Sequence, residues 1–223
     1  MRSLPVLNAE ALAAAEVSQT EALAAVEAAL ATLGRGEAQQ PHPPTLSPAA
    51  GAFFTPLIAA LPKENVACVN WLSYHPHNAA AGLPHSGGLL ILNDFATGAA
   101  LCLLDGIWIG QRRAGYVAAL GVKHLAGDFD DIAVIGPGAI ATFAIDAIAA
   151  LGLLRGGLRV CGRRQQSTDK FCTDTLSRHG IRARPYTDPQ AAVRGARLII
   201  TSTSHSGSPF LKPDWLTRGT LVV

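Results

Sequence analysis

An apolar run that breaks into a glycine-rich turn is the feature that most restricts what this chain can fold into. Residues 132–135 read Ile-Ala-Val-Ile, residues 136–141 then read Gly-Pro-Gly-Ala-Ile-Ala, and a helix-like segment continues to Leu153. In a Gly-x-Gly-x-x-Ala turn the first glycine permits a tight bend and the second allows close backbone approach. The small third residue lets the helix pack on the strand. Such a turn predicts binding of a dinucleotide diphosphate at the helix N-terminus, by Gly136, Gly138, Ala139, Ile140 and Ala141. A purely structural turn is the alternative.

The pattern that follows this turn alternates between short apolar runs and helical spacing. It predicts strands at 132–135, 158–161, 181–184 and 197–201, and helices at 139–153, 168–179 and 188–194. This alternation predicts an α/β fold with a doubly wound, Rossmann-like parallel sheet. Residues 219–223 predict a fifth parallel strand, where such folds normally add a further helix and a sixth strand. We therefore expect a fragment or shortened form, or a partner chain that covers this strand.

The N-terminal half has a different pattern. It predicts helices at 8–15 and 18–34, strands at 53–61, 66–74, 88–93 and 100–105, and a helix at 109–126 that leads into the next domain. Closely spaced strands without intervening helices indicate a mostly antiparallel sheet. We therefore predict an α+β domain over residues 1–125 and an incomplete dinucleotide-binding domain over residues 126–223.

Composition narrows the function classes. Apolar residues make up 49% and charged residues 15% of the chain, which excludes a disordered or coiled-coil protein. The net charge of +2 comes from scattered basic residues, so nucleic acid is not expected as a partner. No run has the length of a membrane span, and residues 1–15 lack a signal-peptide core. The four cysteines have no metal-type spacing. These observations predict a reduced, cytoplasmic protein without a bound metal.

The end of the second predicted strand bears on the choice of cofactor. NAD-preferring folds carry an acidic residue there that accepts the ribose hydroxyls. In this chain the strand ends in Gly162-Arg163-Arg164. Because paired arginines bind a 2′-phosphate and a carboxylate would repel it, the sequence predicts NADP(H) in preference to NAD(H).

Several stretches together resemble the ornithine cyclodeaminase and mu-crystallin family. The stretches, which occur in family order before the Gly136 turn, are Val69–Asn78, Gly82–Pro84, Leu90–Gly98, Leu104–Gly106, Arg113 and Lys123–Ala126. The resemblance covers the chain from about Glu21 to Val223. The resemblance implies that the domain over residues 1–125 binds substrate and dimerises through its sheet, and hence that the protein is a homodimer. It also implies hydride transfer between a nicotinamide cofactor and a small imine, amine or amino acid. A ligand-binding protein without turnover, or an inactive partner subunit, stays an alternative.

The resemblance also assigns roles to individual residues. Arg113 occupies the position of the family arginine that pairs with the substrate carboxylate, although a surface arginine is the alternative. Asn70, which the resemblance places in contact with the substrate, and His42 replace family cations, which predicts a substrate less anionic than ornithine or alanine, or a chain without catalysis. His85 stands where relatives place a threonine or arginine near the cofactor. It either donates to a phosphate, exchanges a proton with the substrate, or is a solvated loop histidine.

The loop at 201–209 completes the predicted site. It reads Thr201-Ser202-Thr203-Ser204-His205-Ser206-Gly207-Ser208-Pro209 and lacks the aspartate that ornithine-cyclising members use, so ornithine cyclodeamination is disfavoured. We predict that Thr201, Ser202 and Thr203 line the cofactor cleft and that His205 carries a proton. A polar turn without a function is the alternative.

Overall fold

The computed structural model describes residues 3–203 and 209–223, which form two compact units, Met1–Gly110 and Gln111–Val223. The division falls inside one long helix, Gly106–Leu125, whose first turn belongs to the first unit and whose remainder belongs to the second. The sequence places the domain boundary at the other end of this helix. The functional assignment of the two ranges stays a prediction.

The first unit contains a five-stranded sheet and two N-terminal helices. Its elements are β1 (Val6–Leu7), α1 (Ala9–Ala14), α2 (Gln19–Gly34), β2 (Phe53–Leu61), β3 (Val66–Tyr74), a short 3-10 helix (Pro76–Ala81), β4 (Ser86–Asp94), β5 (Ala100–Asp105) and the start of α3 (Gly106–Leu125). The strand order is β1-β5-β4-β3-β2. Strands β2 to β5 pair antiparallel, as the sequence predicts, and the two-residue β1 adds a parallel edge.

Local hydrogen bonds fix the ends of these elements. Ser18 and Glu21 form the capping box that starts α2, because each side chain bonds the backbone N–H of the other. At the end of β4, the Asp94 carboxylate accepts hydrogen bonds from the backbone N–H and the hydroxyl of Thr97, at 2.8 and 2.7 Å. The Asn65 amide donates to the same carboxylate. These bonds, chiefly those from Thr97, hold the pKa of Asp94 below its ordinary value.

The outer edge of this sheet is covered by the segment that precedes it. Gln39 exchanges backbone hydrogen bonds of 3.0 and 2.8 Å with Ala60, and Leu46 exchanges bonds of 2.9 and 2.8 Å with Phe54. Pro56 lies between these two bridges on β2, where it has no N–H to donate. Proline on a central strand would break the ladder, and it is tolerated here because β2 is the last strand of the sheet.

One face of the first sheet is mostly apolar and partly exposed, and Asp105 also lies on it, opposite Leu89. Residues that are directly opposite one another point to the same face, and the strand register therefore groups Ile58, Val69, Trp71, Leu89, Ile91 and Leu103. Ile58, Trp71 and Leu89 are 43%, 44% and 44% exposed. We call these six residues the apolar face of the first sheet.

The second unit contains a parallel sheet with helices between its strands. After the rest of α3 come β6 (Ile132–Ile135), α4 (Ala139–Ala150), β7 (Leu158–Cys161), α5 (Gln165–His179), β8 (Ala183–Tyr186), α6 (Pro189–Val193), β9 (Leu198–Thr201), a 3-10 turn (Pro213–Trp215) and β10 (Leu221–Val222). The order β10-β9-β6-β7-β8, with every pair parallel, is that of a doubly wound dinucleotide fold. The predicted fold class is confirmed.

Several predicted boundaries are corrected. The helix predicted at 109–126 begins at Gly106, the strand predicted at 88–93 runs from Ser86 to Asp94, and the strand predicted at 219–223 is limited to Leu221–Val222. The helix predicted at 139–153 ends at Ala150, because Gly152 has a φ of +69° and turns the chain back. The helix predicted at 168–179 begins at Gln165, directly after an extended Arg164. The strand predicted at 181–184 runs from Ala183 to Tyr186, because the left-handed Gly180 ends α5 and the chain needs two more residues to return to the sheet.

The core of the second unit lies on both faces of its sheet. Its largest fully buried side chains, all less than 2% exposed, include Ile132, Ile145, Ile148, Leu158, Leu198, Ile199 and Ile200. The strand residues among them come from central strands that are buried on both faces, which is why their sequences are continuous apolar runs. This core holds the carboxyl ends of β6, β7 and β9 in place.

Candidate cofactor-binding site

The turn after β6 has the geometry that its glycines predict. Gly136 has a φ of +93°, which L side chains rarely adopt. Its N–H donates to the Cys161 carbonyl at 2.9 Å. A Cβ at position 136 would lie 2.6 Å from the Ser202 carbonyl oxygen. Both the backbone angle and the lack of space therefore require glycine here.

Ser202 braces this turn from the neighbouring strand. Its N–H donates to the Ile135 carbonyl at 2.9 Å, and its hydroxyl donates to the Gly136 carbonyl at 2.5 Å. The Thr201 hydroxyl is likewise used within the fold, because it donates to the Val223 carbonyl at 3.2 Å. Thr203 also lies beside the turn, since its Cγ2 would be 3.0 Å from a Cβ at Gly136. Two of the three predicted hydroxyls thus hold strand ends, and direct contact with a cofactor stays a prediction.

The N-terminus of α4 opens onto free space. Gly138 is the N-cap in an extended conformation, no side chain among the described residues caps it, and the first turn holds no acidic residue. A Cβ added at Gly138 would meet nothing within 4 Å. Ala139 and Ile140 are exposed, whereas Ala141 is fully buried against the sheet. A helix start with free N–H groups, a positive dipole end and room in front of it fits a diphosphate.

A groove of about 690 Å³ flanks this turn within the second unit. It is lined by Ala114, Val117, Ala118, Gly121, Ile140, Ile200, Thr201, Ser202, Thr203 and Val223. The lining is mostly apolar and suits a flat ring better than a charged group. The four α3 residues of this set were not predicted from the sequence. Their spacing of i, i+3, i+4 and i+7, with only small or β-branched residues, is the signal that identifies one helix face.

Close packing of α3 on α4 sets the position of this groove. A Cβ at Gly115 would lie 2.7 Å from Phe143 Cβ and 2.8 Å from the Ala144 nitrogen, so the two helices touch through their backbones. The Arg112 guanidinium lies 5.0 Å from the centre of the Phe143 ring, a cation–π distance. Arg113, the next residue, is exposed, and one helical turn separates it from Val117 in the groove.

The two arginines at the end of β7 stand on the surface next to the turn. Arg163 and Arg164 are both exposed. Arg164 is the N-cap of α5, whose first turn contains no acidic residue. The Thr168 hydroxyl donates to the Arg164 carbonyl at 3.2 Å and so ties the arginine segment to α5. A phosphate at this position would meet two cations and a helix N-terminus.

Asn70 and His85 lie in the first unit. Asn70 is 8% exposed, and its amide donates to the Gly106 carbonyl at 3.1 Å, at the start of α3. In the described part of the chain its buried Oδ1 has no hydrogen-bond partner, and a Cβ at Gly106 would lie 2.1 Å from that oxygen. The structure thus gives Asn70 a packing role, and its substrate contact stays a prediction. His85 is exposed, with its ring 6.4 Å from that of Tyr74. His205 lies outside the described residues.

Metal binding, membrane insertion and thiol chemistry find little support in the described residues. Within residues 3–203 and 209–223, no group of three or more His, Cys, Asp or Glu side chains could hold a metal ion. None of the helices found in those residues is long and apolar enough to cross a membrane. Burial raises the pKa of the Cys68, Cys161 and Cys172 thiols, with a further contribution from Asp188 at Cys161 and from Asp169 at Cys172. These three thiols are therefore protonated at neutral pH and are poor nucleophiles.

Comparison with known proteins gives consistent matches. The profile of the ornithine cyclodeaminase/mu-crystallin family matches residues 5–223. The alanine dehydrogenase of Archaeoglobus fulgidus is 29% identical over 208 residues, which are 92% of this chain and 61% of that protein. Delta(1)-pyrroline-2-carboxylate reductase 1 of Burkholderia multivorans is 31% identical over 215 residues, 93% of this chain and 67% of that protein. An archaeal alanine dehydrogenase, solved as a dimer with bound NAD, has a TM-score of 0.87 and 27% identity, over 98% of this chain and 66% of that one. The chain therefore spans about three fifths to two thirds of the length of these proteins.

Proposed function

This chain belongs to the ornithine cyclodeaminase/mu-crystallin family, and from that premise we propose that it transfers hydride between NADP(H) and a small imine, amine or amino acid. The observation that carries the proposal is the braced Gly136 turn in front of the open N-terminus of α4. Two further facts support it. Relatives bear the names of an alanine dehydrogenase and a pyrroline-2-carboxylate reductase. A solved relative also binds NAD.

In this proposal the cofactor supplies or accepts the hydride, and the chain holds and orients the reactants. The free N–H groups at Ala139, Ile140 and Ala141 bind the diphosphate. Ser202 keeps the preceding turn in its binding shape before the cofactor arrives, which lowers the ordering cost of binding. The groove beside the turn gives an apolar surface for a flat ring. Arg113 holds the substrate carboxylate through its planar guanidinium.

We propose NADP(H) as the preferred cofactor. The support is the pair of exposed arginines at the end of β7, the acid-free first turn of α5, and the absence of a carboxylate at residues 162–167. A 2′-phosphate at that point gains two charge-assisted contacts, whereas NAD(H) has only ribose hydroxyls to offer. Fluorescence titration with NADPH and NADH measures this preference, and tighter binding of NADH would contradict it.

We also propose a homodimer that forms through the first unit. The apolar face of the first sheet exposes three large side chains side by side, and contiguous exposed apolar surface of this kind marks interaction sites. The archaeal alanine dehydrogenase, solved as a dimer, supports an assembly of two copies. The occupant proposed for the face is a second copy of this chain.

Steady-state kinetics test the catalytic part of the proposal. We expect NADPH oxidation with at least one member of a panel of cyclic imines, with and without a carboxylate, and of keto acid plus amine pairs. Substitution Arg113→Lys retains the charge and loses the planar fork, so kcat/KM should fall about tenfold or more. Arg182→Lys, on the exposed surface of the same unit, is the matched control and should have no effect. Binding of NADPH without turnover on the whole panel would contradict the catalytic proposal.

A further inference from the structure

Gly162, the residue between β7 and the arginine pair, has too little space around it for a side chain. A Cβ at this position would lie 2.7 and 2.8 Å from Pro137 Cδ and Cγ, and 2.8 Å from the Thr168 hydroxyl oxygen. Gly162 is not among the glycines with a positive φ. Lack of space, and not backbone conformation, is therefore what requires glycine.

The atoms that enclose Gly162 belong to the two halves of the proposed cofactor site. Pro137 is the middle residue of the Gly136-Pro137-Gly138 turn at the start of α4. Thr168 is 1% exposed and donates to the Arg164 carbonyl, so it holds the segment that carries the arginines. A side chain at position 162 must displace the turn, the arginine segment or both. Neither can give way cheaply, because Pro137 is part of a braced turn and Thr168 is buried.

Position 162 is also where an NAD-preferring fold places its carboxylate, directly after the second strand. From these contacts we infer that Pro137 and Thr168 form a steric lock, because they leave no room for an acidic side chain at position 162. Without that carboxylate, the turn disfavours binding of NAD(H) relative to NADP(H). The inference rests on the proposed cofactor function and extends it. The arginines attract the 2′-phosphate, and the lock prevents the chain from acquiring the alternative ribose contact.

A cycle of variants tests the lock by direct titration with NADPH and NADH. In the native background, Gly162→Asp should weaken binding of both dinucleotides, because the new side chain displaces the turn. In the background Pro137→Ala with Thr168→Ala, which removes the three nearest atoms, the same Gly162→Asp should raise NADH affinity and lower NADPH affinity. The ratio of the two affinities should change by about tenfold or more there. Gly127→Asp, which adds the same charge at an open and exposed position of the second unit, is the control and should leave the ratio unchanged.

The outcomes separate the two proposals. Wild-type protein that binds neither dinucleotide would contradict the proposed function. If the wild type binds, an equal gain of NADH affinity from Gly162→Asp in both backgrounds would overturn the lock alone. The lock would also be overturned if Gly162→Asp gave no gain of NADH affinity in the background Pro137→Ala with Thr168→Ala. Circular dichroism and thermal unfolding establish that each variant is folded. If Gly162→Asp does not fold in the native background, the NADH and NADPH affinities of Pro137→Ala with Thr168→Ala, measured with and without Gly162→Asp, still test the lock.

Discussion

The two sheets of this molecule differ in how they bury their apolar side chains. In the parallel sheet of the second unit, Leu198 and Ile199 are 0% exposed, and helices of the same unit supply the covering layers. In the mostly antiparallel sheet of the first unit, Trp71 and Leu89 are both 44% exposed. A parallel sheet is covered on both faces by the helices that connect its strands, whereas a meander connected by short turns is not.

This difference indicates where each unit gets its stability. The second unit supplies its own core, so its site geometry is set by packing within the unit. The first unit presents an apolar face whose burial would require a further layer, and at roughly 25 cal/mol per Å² such burial is worth several kcal/mol. The comparison predicts that equivalent substitutions have different effects in the two sheets.

The largest effect is expected from the core of the second unit. Ile199→Ala should lower the free energy of unfolding by about 3 kcal/mol, because a fully buried isoleucine leaves a cavity. Ile58→Ala on the apolar face of the first sheet should cost less than about 1 kcal/mol in the monomer. Urea unfolding followed by circular dichroism, at protein concentrations that favour monomer, measures both. Equal losses would contradict the proposed difference between the sheets.

The next largest effect is expected at the turn of the cofactor site. Gly136→Ala should cost about 2 kcal/mol of stability and abolish NADPH binding, because it combines a disfavoured backbone angle with a clash against Ser202. Gly138→Ala should leave the unfolding midpoint nearly unchanged, since its Cβ meets open space, yet weaken NADPH binding by filling that space. Thermal unfolding together with fluorescence titration separates the two. Unimpaired NADPH binding by Gly138→Ala would place the diphosphate elsewhere.

A smaller effect is expected on assembly. Leu89→Lys should raise the dimer dissociation constant about tenfold, or about 1.4 kcal/mol, because it puts a charge into the apolar face of the first sheet. Leu176→Lys replaces a single leucine that is 51% exposed on α5 of the second unit, and it should not change assembly. Sedimentation velocity over a concentration series gives the dissociation constants. A wild-type protein that is monomeric throughout would refute the proposed dimer.

The smallest effect concerns the Asp94 turn of the first sheet. The pKa of Asp94 is lower in the folded protein than its ordinary value, because it accepts bonds from Thr97 and Asn65. Its stabilising contribution is therefore complete above the ordinary value of about 4 and is lost as the pH falls through the lowered folded value. Asp94→Asn should lower the unfolding midpoint slightly at pH 7, and the difference from wild type should shrink as the pH falls through the lowered folded pKa of Asp94. A difference that is constant with pH would exclude this origin.

Local patterns in the sequence were sufficient to predict most of the fold. The spacing of apolar residues and the residue types at turns depend only on neighbouring residues. They were enough to predict the Gly136 turn, its flanking strand and the antiparallel meander. The two-residue β1 carries too little pattern to be recognised. The true start of β8 depends on how far the chain travels after Gly180 before it meets β7, which is a matter of tertiary packing.

The site was less predictable because its geometry comes from contacts between distant segments. Hydroxyl groups near 201–203 suggest ligand contacts, but Ser202 bonds to a carbonyl 66 residues earlier in the chain. Asn70 bonds to Gly106, 36 residues later. The four α3 residues of the groove have no distinctive chemistry, and only the close approach of α3 to α4 brings them to the site. Spacing along a helix identifies a face, but not what that face meets.

The two bridges from Gln39 and Leu46 to β2 have a consequence for how this protein aggregates or assembles. They occupy backbone groups that an incoming strand would otherwise pair with, and Pro56 removes another donor between them. Growth by strand addition is thus blocked on that side. The homodimer proposed through the apolar face of the first sheet does not use this edge, because it forms by face-to-face packing of side chains, an isologous contact that closes after two copies.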